Sequence, residues 1–368
     1  MNNKRINLFV DLTKMAIIVA IACLLVSAII FMVSKMPVVA IQSFFLGPFS
    51  SIRRMGNIIE GATPLIFTAL AVTLIFRSGQ FSMISEGAFF IGACGAMIAG
   101  INLQLPLAIH LPVTILFGAL LGAIAAGIPA ILKLLWGVSE LVTSIMLNYV
   151  CLYVSVYLLN YHYRDTATTA FQSHKIQESA RLPLIISGTR IHAGIPIALI
   201  FCLFVWFLLF RLRIGYKLRV TGDNAHFANY AGINAAAVMF LVQIIAGAVA
   251  GAGGAVELMG MYARFKWTAL PGYGWTGIVV CLLARLNPLL VPVSALFIAY
   301  LNVGAEIMSR SSDVSYEMVL VIQAVMMLLI ASDALLHRFR QKLIVQSAER
   351  EKQNAANDSS LKGNDINV

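Results

Sequence analysis

Charge is what this sequence has least of. Asp, Glu, Lys and Arg make up 11% of its 368 residues, against about 25% in an ordinary soluble domain. That excludes a soluble enzyme, a nucleic-acid-binding module and a disordered scaffold. Acidic groups are the scarcer sign, 16 against 26 basic ones. A carrier driven by protons or sodium is expected to hold acidic groups mid-membrane, and no acidic pair is evident there. Cysteine is sparse: Cys23, Cys94, Cys151, Cys202 and Cys281 all lie in apolar stretches without the paired spacing of a zinc site, so neither metal nor disulfide is implied. Catalytic patterns are missing too. There is no glycine-rich phosphate loop ending in Lys-Ser/Thr, no His-Glu-x-x-His, and no serine set among His and Asp partners. The six histidines are scattered, with His162 and His192 near the ends of spans. Catalysis is not expected.

Apolar residues fill the space that charge leaves: 60% of the chain, with a mean hydropathy of +0.87. A bilayer crossing needs roughly 20 mainly apolar residues. That ruler predicts an all-α polytopic membrane protein of about ten spans, at 15–33, 58–76, 84–100, 107–132, 139–160, 192–210, 235–257, a short one at 271–284, 289–306 and 316–336. The run 15–33 is long for a cleaved signal and reads as a retained helix. Basic clusters (Lys4, Arg5, Lys14; Arg211, Arg213, Lys217, Arg219; Arg338, Arg340, Lys342) then fall on one side, which the positive-inside rule makes cytoplasmic, with both termini. Arg53, Arg54, Arg164, Lys175, Arg181 and Arg190 run against the rule, in the longer loops 34–57 and 161–190. The loop 34–57 suggests a short interfacial helix; 161–190 suggests a flap over the mouth or a partner surface. The chain thus divides into a transmembrane domain over 1–342 and a polar, disordered cytoplasmic tail over 343–368.

Four features carry what chemistry there is. Gly118, Gly122 and Gly127 in one span, and Gly247, Gly251, Gly253 and Gly254 in another, allow close helix approach, within the chain or against a second subunit. Glu86, Glu140, Glu257 and Glu306 lie near span ends and read chiefly as interfacial or capping carboxylates, Glu86 and Glu140 in first turns that suit the helix dipole. Two segments read as broken helix, 77–87 and 271–277, each setting aromatics (Phe81; Tyr273 and Trp275) among glycine and small polar residues; paired breaks are where transporters build sites. The loop 211–234 carries a basic run, then Ala225, Ala228, Ala231 and Gly232 on a short helix that Asp223 or Asn224 can cap. It reads equally as a docking helix or as a basic tether.

Four of these stretches resemble one family. "ATPLIFTALAVTLIFRSGQFSMISEGAFFIGA" (62–93), "SELVTSIMLNYV" (139–150), "TGDNAHFANYAGIN" (221–234) and "GYGWTGIVVCLLARLNP" (272–288) resemble, in order, motifs of ABC-importer permeases for ribose, simple sugars and nucleosides. The likeness is greatest to the longer permease of nucleoside importers served by basic-membrane-protein-type lipoproteins. The chain departs from the pattern at Ser82, Ala88 and Ala284, near the presumed pathway.

The resemblance implies a type II-like permease fold in a bacterial inner membrane, with the permease domain over 1–342. It implies half of a translocation pathway for purine-like nucleosides, with sugars or riboflavin as alternatives and an ion-coupled carrier as a further one. It implies as partners a second permease, alike or identical, an ABC ATPase that binds ATP and Mg, a substrate-binding lipoprotein, the small-molecule cargo and membrane lipid. No cofactor is bound by this chain, and no nucleic acid. Residues expected along the pathway are Phe81, Ser82, Ser85, Glu86, Asn148, Tyr273 and Trp275. The expected coupling element is a helix from Gly222 to Ala231, with Gly222, Asp223, Asn224, Ala225, Ala228, Tyr230, Ala231 and Gly232.

Overall fold

The structure is a computed structural model that describes residues 34–314, with isolated positions at 24, 27, 30–32, 318, 321, 324 and 325. The chain divides into two units, 1–29 with 324–368, and 30–323. Of the first, Leu24, Ser27, Ala324 and Val325 are described, each helical. All other described residues belong to the second. The expected spans 15–33 and 316–336, the tail 343–368, Cys23 and the two terminal basic clusters lie outside the described residues, but for the scattered positions named.

The regular elements of the described residues are helices, with two isolated bridges and no strand. Its elements are α1 Pro37–Phe45, α2 Ile52–Arg77, α3 Ser85–Asn102, α4 Leu107–Trp136, α5 Glu140–Leu158, α6 Gly194–Arg211, α7 Arg213–Asp223, α8 Ala225–Tyr230, α9 Ala235–Met261, α10 Tyr273–Leu283 and α11 Val291–Ser311. By length and composition six are fit to cross a membrane: α2, α4, α5 with its continuation to Tyr163, α6, α9 and α11. The apolar runs locate them because lipid offers the backbone no hydrogen-bond partner, so a crossing segment must satisfy its own groups as a helix.

A glycine seam holds α4, α9 and α3 together. A methyl group on Gly122 would overlap the Gly247 carbonyl, one on Gly92 the backbone of Gly251, and one on Gly254 the Phe89 carbonyl. Without an apolar driving force between helices in lipid, backbones this close gain from dispersion and weak C–H contacts. This answers the question the sequence left open: Gly118, Gly122, Gly247, Gly251, Gly253 and Gly254 pack within the chain, while Gly127 only brushes Ile244.

The bundle has two distinct ends. One carries Arg77, the α4–α5 turn and α7–α8. At the other, α1 forms in the loop 34–57 as expected, and Tyr300 of α11 donates to the Phe45 carbonyl. There too the loop 161–190 lies back on its own chain. Ser173 and Leu182 N–H groups donate to Phe265 and Met259 carbonyls, and Arg264 pairs with Asp165 at 2.5 Å. That guanidinium holds the Asp165 carboxyl below its usual range.

Candidate functional site: two helix breaks that meet

The break after α2 is a strap, 78–84, that turns at Ser78 and Gly79, runs without helix from Gln80 to Met83 and turns again at Ile84. It starts at Gly79, whose φ of 75° suits a residue without a side chain. From there it climbs along α5, which satisfies its backbone rung by rung. Phe81 N–H donates to Glu140 (3.0 Å), Met83 N–H to Ser144 Oγ (2.9 Å) and Gly87 N–H to Asn148 Oδ1 (2.9 Å), while Asn148 Nδ2 returns a bond to the Met83 carbonyl (3.0 Å). Glu140, Ser144 and Asn148 sit four residues apart, one face of a helix. Helix α3 therefore begins not at the bundle end but about 12 Å in, the rise from Glu140 to Asn148.

The second break comes from the opposite end. After α9 the chain runs without helix from 262 to 272, then starts α10. Thr68 of α2 bonds the Tyr273 carbonyl at 3.0 Å, Gly277 lies against Thr68 and Ala69, and Thr73 meets Cys281. Helix α10 thus runs beside the last part of α2, starting roughly 14 Å from the Arg77 end. The two half-helices begin at the same depth.

Glu86 joins them. Its carboxylate accepts the Gly272 N–H at 2.7 Å and the Gly274 N–H more closely still. It lies in the first turn of α3 and caps α10, so one negative charge faces the positive ends of two helices. Gly274 has no room for a side chain against the Glu86 backbone. Glu86 is 1% exposed.

The expected pathway residues separate into two groups here. Ser82, Ser85, Glu86 and Asn148 are buried, Tyr273 is half-buried with its ring on Phe89, and Phe81 and Trp275 open to the surface at 49% and 46% exposure. Asn148 and Glu86 are engaged by backbone, whereas the Ser82 and Ser85 hydroxyls, buried at the junction, have no hydrogen-bond partner.

The carboxylates differ from the capping reading in part. Glu140 pairs with Lys133 and caps the strap; Glu306 pairs with Arg310 on the surface. Glu257, expected at an interface, is wholly buried with both oxygens unpartnered, because α9 continues to Met261. Glu60 of α2, passed over in the sequence, is buried within its electrostatic reach. The described residues thus hold two buried carboxyls within each other's field, with Arg190 acting on Glu60 as well.

The coupling region also differs. Residues 213–223 form a helix of their own, α7, with Gly215, Leu218 and Thr221 inward. Gly222 and Asp223 end that helix instead of opening the next one. Helix α8 is shorter than expected, Ala225–Tyr230, capped by Asn224, whose Oδ1 accepts the Phe227 N–H at 3.0 Å. Ala228 is buried beneath it, while Tyr230 (92% exposed) and Phe227 (61%) stand out. Phe227 was missed; its place three residues before Tyr230 on a capped helix was the available signal. Also missed was a row of exposed tyrosines on α5 and its continuation: Tyr149, Tyr153, Tyr157 and Tyr161.

Residues 54–331 match the family described as branched-chain amino acid transport system / permease component. The chain belongs to this permease family. It is similar to a guanosine ABC transporter permease protein of Bacillus subtilis, 33% identical over 325 residues, 86% of this chain and 91% of that one. A glucose ABC transporter permease protein of Haloferax volcanii is 31% identical over 314 residues, 83% of each chain. A nucleoside ABC transporter permease protein of Lactococcus lactis is 27% identical over 341 residues, 90% and 92%. No solved structure is significantly similar. This permease is a multi-pass membrane protein and a non-catalytic transport component.

Proposed function

We propose that the permease forms half of an ATP-driven import pathway for nucleosides, in a type II-like arrangement of about ten spans with both termini cytoplasmic. A second permease supplies the other half, an ATPase docks on α7–α8, and a lipoprotein delivers cargo at the far end. The observation that carries this reading is the meeting of two half-helices at Glu86, since transporters build pathways where discontinuous helices face each other at mid-depth. Phe81, Ser82, Ser85, Tyr273 and Trp275 then border the pathway, with aromatic faces for a ring-shaped cargo and free hydroxyls for its polar edge. Glu86 and Asn148 act one step back, by setting the two breaks. The α5 tyrosines extend about 18 Å along the helix. That is too far for an interfacial belt alone, so they face the pathway and the second permease in preference to lipid.

Two relatives named for nucleosides or guanosine support the cargo class. The glucose relative, of similar identity, favours a sugar as the second reading. Phe227 and Tyr230, displayed by a capped helix, suit a groove on the ATPase. The polar stretch 343–368 is read as a tail outside the pathway. To test the function, the tagged permease is purified in mild detergent with its partners, and ATP hydrolysis is measured with loaded receptor. Stimulation by nucleosides supports the proposal, stimulation by sugars or riboflavin alone replaces the cargo, and a lone protein that transports on an ion gradient rejects it.

A further inference from the structure

Helix α7 ends against the start of the strap. Gly222 lies on the Arg77 carbonyl so closely that a methyl group there would overlap it, and a methyl group on Gly79 would sit 3.0 Å from the Gly222 carbonyl oxygen. No other described pair joins the 213–232 region to the 77–84 segment through two glycine backbones. On the far side of this contact the strap is held at Gln80, Phe81 and Met83, and the start of α3 at Gly87. Gln80 donates to the Met239 carbonyl at 2.9 Å and accepts from Gln243 at 2.6 Å, and Phe81, Met83 and Gly87 are tied to α5. Arg77, at the same corner, donates to the Leu286 carbonyl (3.1 Å) in the left-handed turn Arg285–Leu286 that ends α10. These bonds hold residues 80–83 against α9 and α5, and just beyond the strap, in the first turn of α3, Glu86 grips the start of α10. Both ends of α10 are therefore fastened to the segment that α7 touches.

We propose that the Gly79–Gly222 contact is the joint through which α7 and α8 move both helix breaks, with Gly79 and Gly222 as positioning residues for transport. The inference rests on the proposed function, in which α7–α8 receive the ATPase. A displacement of Gly222 pushes the strap at Gly79. The strap carries it to Glu86, and Glu86 shifts the Gly272–Gly274 end of α10, so one push acts on both sides of the junction. Gly at both positions lets backbone bear on backbone, with no side chain to fold away and absorb the motion.

The test uses the wild-type complex with its ATPase. Amide hydrogen exchange is compared with and without a non-hydrolysable ATP analogue at three places: 213–232, 78–87 and 272–274. The joint requires all three to respond together. A response in 213–232 that leaves 78–87 and 272–274 unchanged overturns the joint while the ATPase-docking reading stands. No response in 213–232 overturns both. Gly222→Ala provides the second measure, the cargo moved per ATP hydrolysed in vesicles. It should fall in G222A but hold in G118A, a variant in the α4–α9 seam that lowers the yield of folded protein. An unchanged ratio in folded G222A refutes the joint.

Discussion

Replacing Glu86 by Ala should separate the two half-helices. The change removes both acceptors of the Gly272 and Gly274 N–H groups, at a site that is 1% exposed. Hydrogen bonds to a charged group contribute about 1.5–3 kcal/mol each, and the buried donors left behind add their own desolvation cost. Two smaller effects nearly cancel: Ala is the better helix former by about 0.4 kcal/mol, while the lost carboxylate costs about 0.3–1 kcal/mol at the α3 N-terminus. The two bonds together make the loss about 3–6 kcal/mol, the scale of breaking a buried charged contact. That corresponds to a fall in melting temperature on the order of 5–10 °C. Glu86→Gln keeps one acceptor and the side-chain shape, so it should lose about half as much. The assay is thermal unfolding in detergent, with amide exchange at Gly272 and Gly274 as the local readout. E86A with an unchanged melting temperature and no faster exchange at those two amides would refute the bridge between the breaks.

Glu257→Met should raise the melting temperature, because it removes a buried carboxyl with both oxygens unpartnered; an unsatisfied buried polar group costs about 1–3 kcal/mol. ATP-driven uptake should survive the change, whereas a carrier that used the Glu60–Glu257 pair for ions would lose uptake. Phe227→Ala with Tyr230→Ala should abolish co-purification of the ATPase without lowering the melting temperature, since both side chains are exposed; retained ATPase would exclude α8 as its docking helix. Tyr153→Leu should reduce uptake at unchanged stability if the α5 row faces cargo or the second permease, and uptake equal to wild type would assign that face to lipid.

The helix limits were legible because apolar runs end where charge begins, and that same rule explains the errors. The run expected to stop before Lys133 continues to Trp136, and the one expected to stop at Glu257 continues to Met261. A charge ends a hydropathy run but not a helix, least of all when the side chain turns inward as Glu257 does. Helix α7 was hidden by its basic residues, although Gly215, Leu218 and Thr221 fall every third position and are its buried face. Both breaks could be seen from glycine and proline. Their meeting could not, because Glu86 and Gly272 are 186 residues apart and only the packing of α2, α3 and α10 brings them together. The acidic pair was lost the same way, since Glu60 and Glu257 become neighbours only through the register of α2 on α9.

Reconstitution with the ATPase and the loaded receptor in sealed vesicles, with uptake of labelled guanosine and labelled glucose as the readout, tests the central claim most directly. The account predicts ATP-dependent guanosine accumulation that E86A abolishes. Guanosine uptake that needs no ATP, or that tracks an imposed ion gradient, would contradict it.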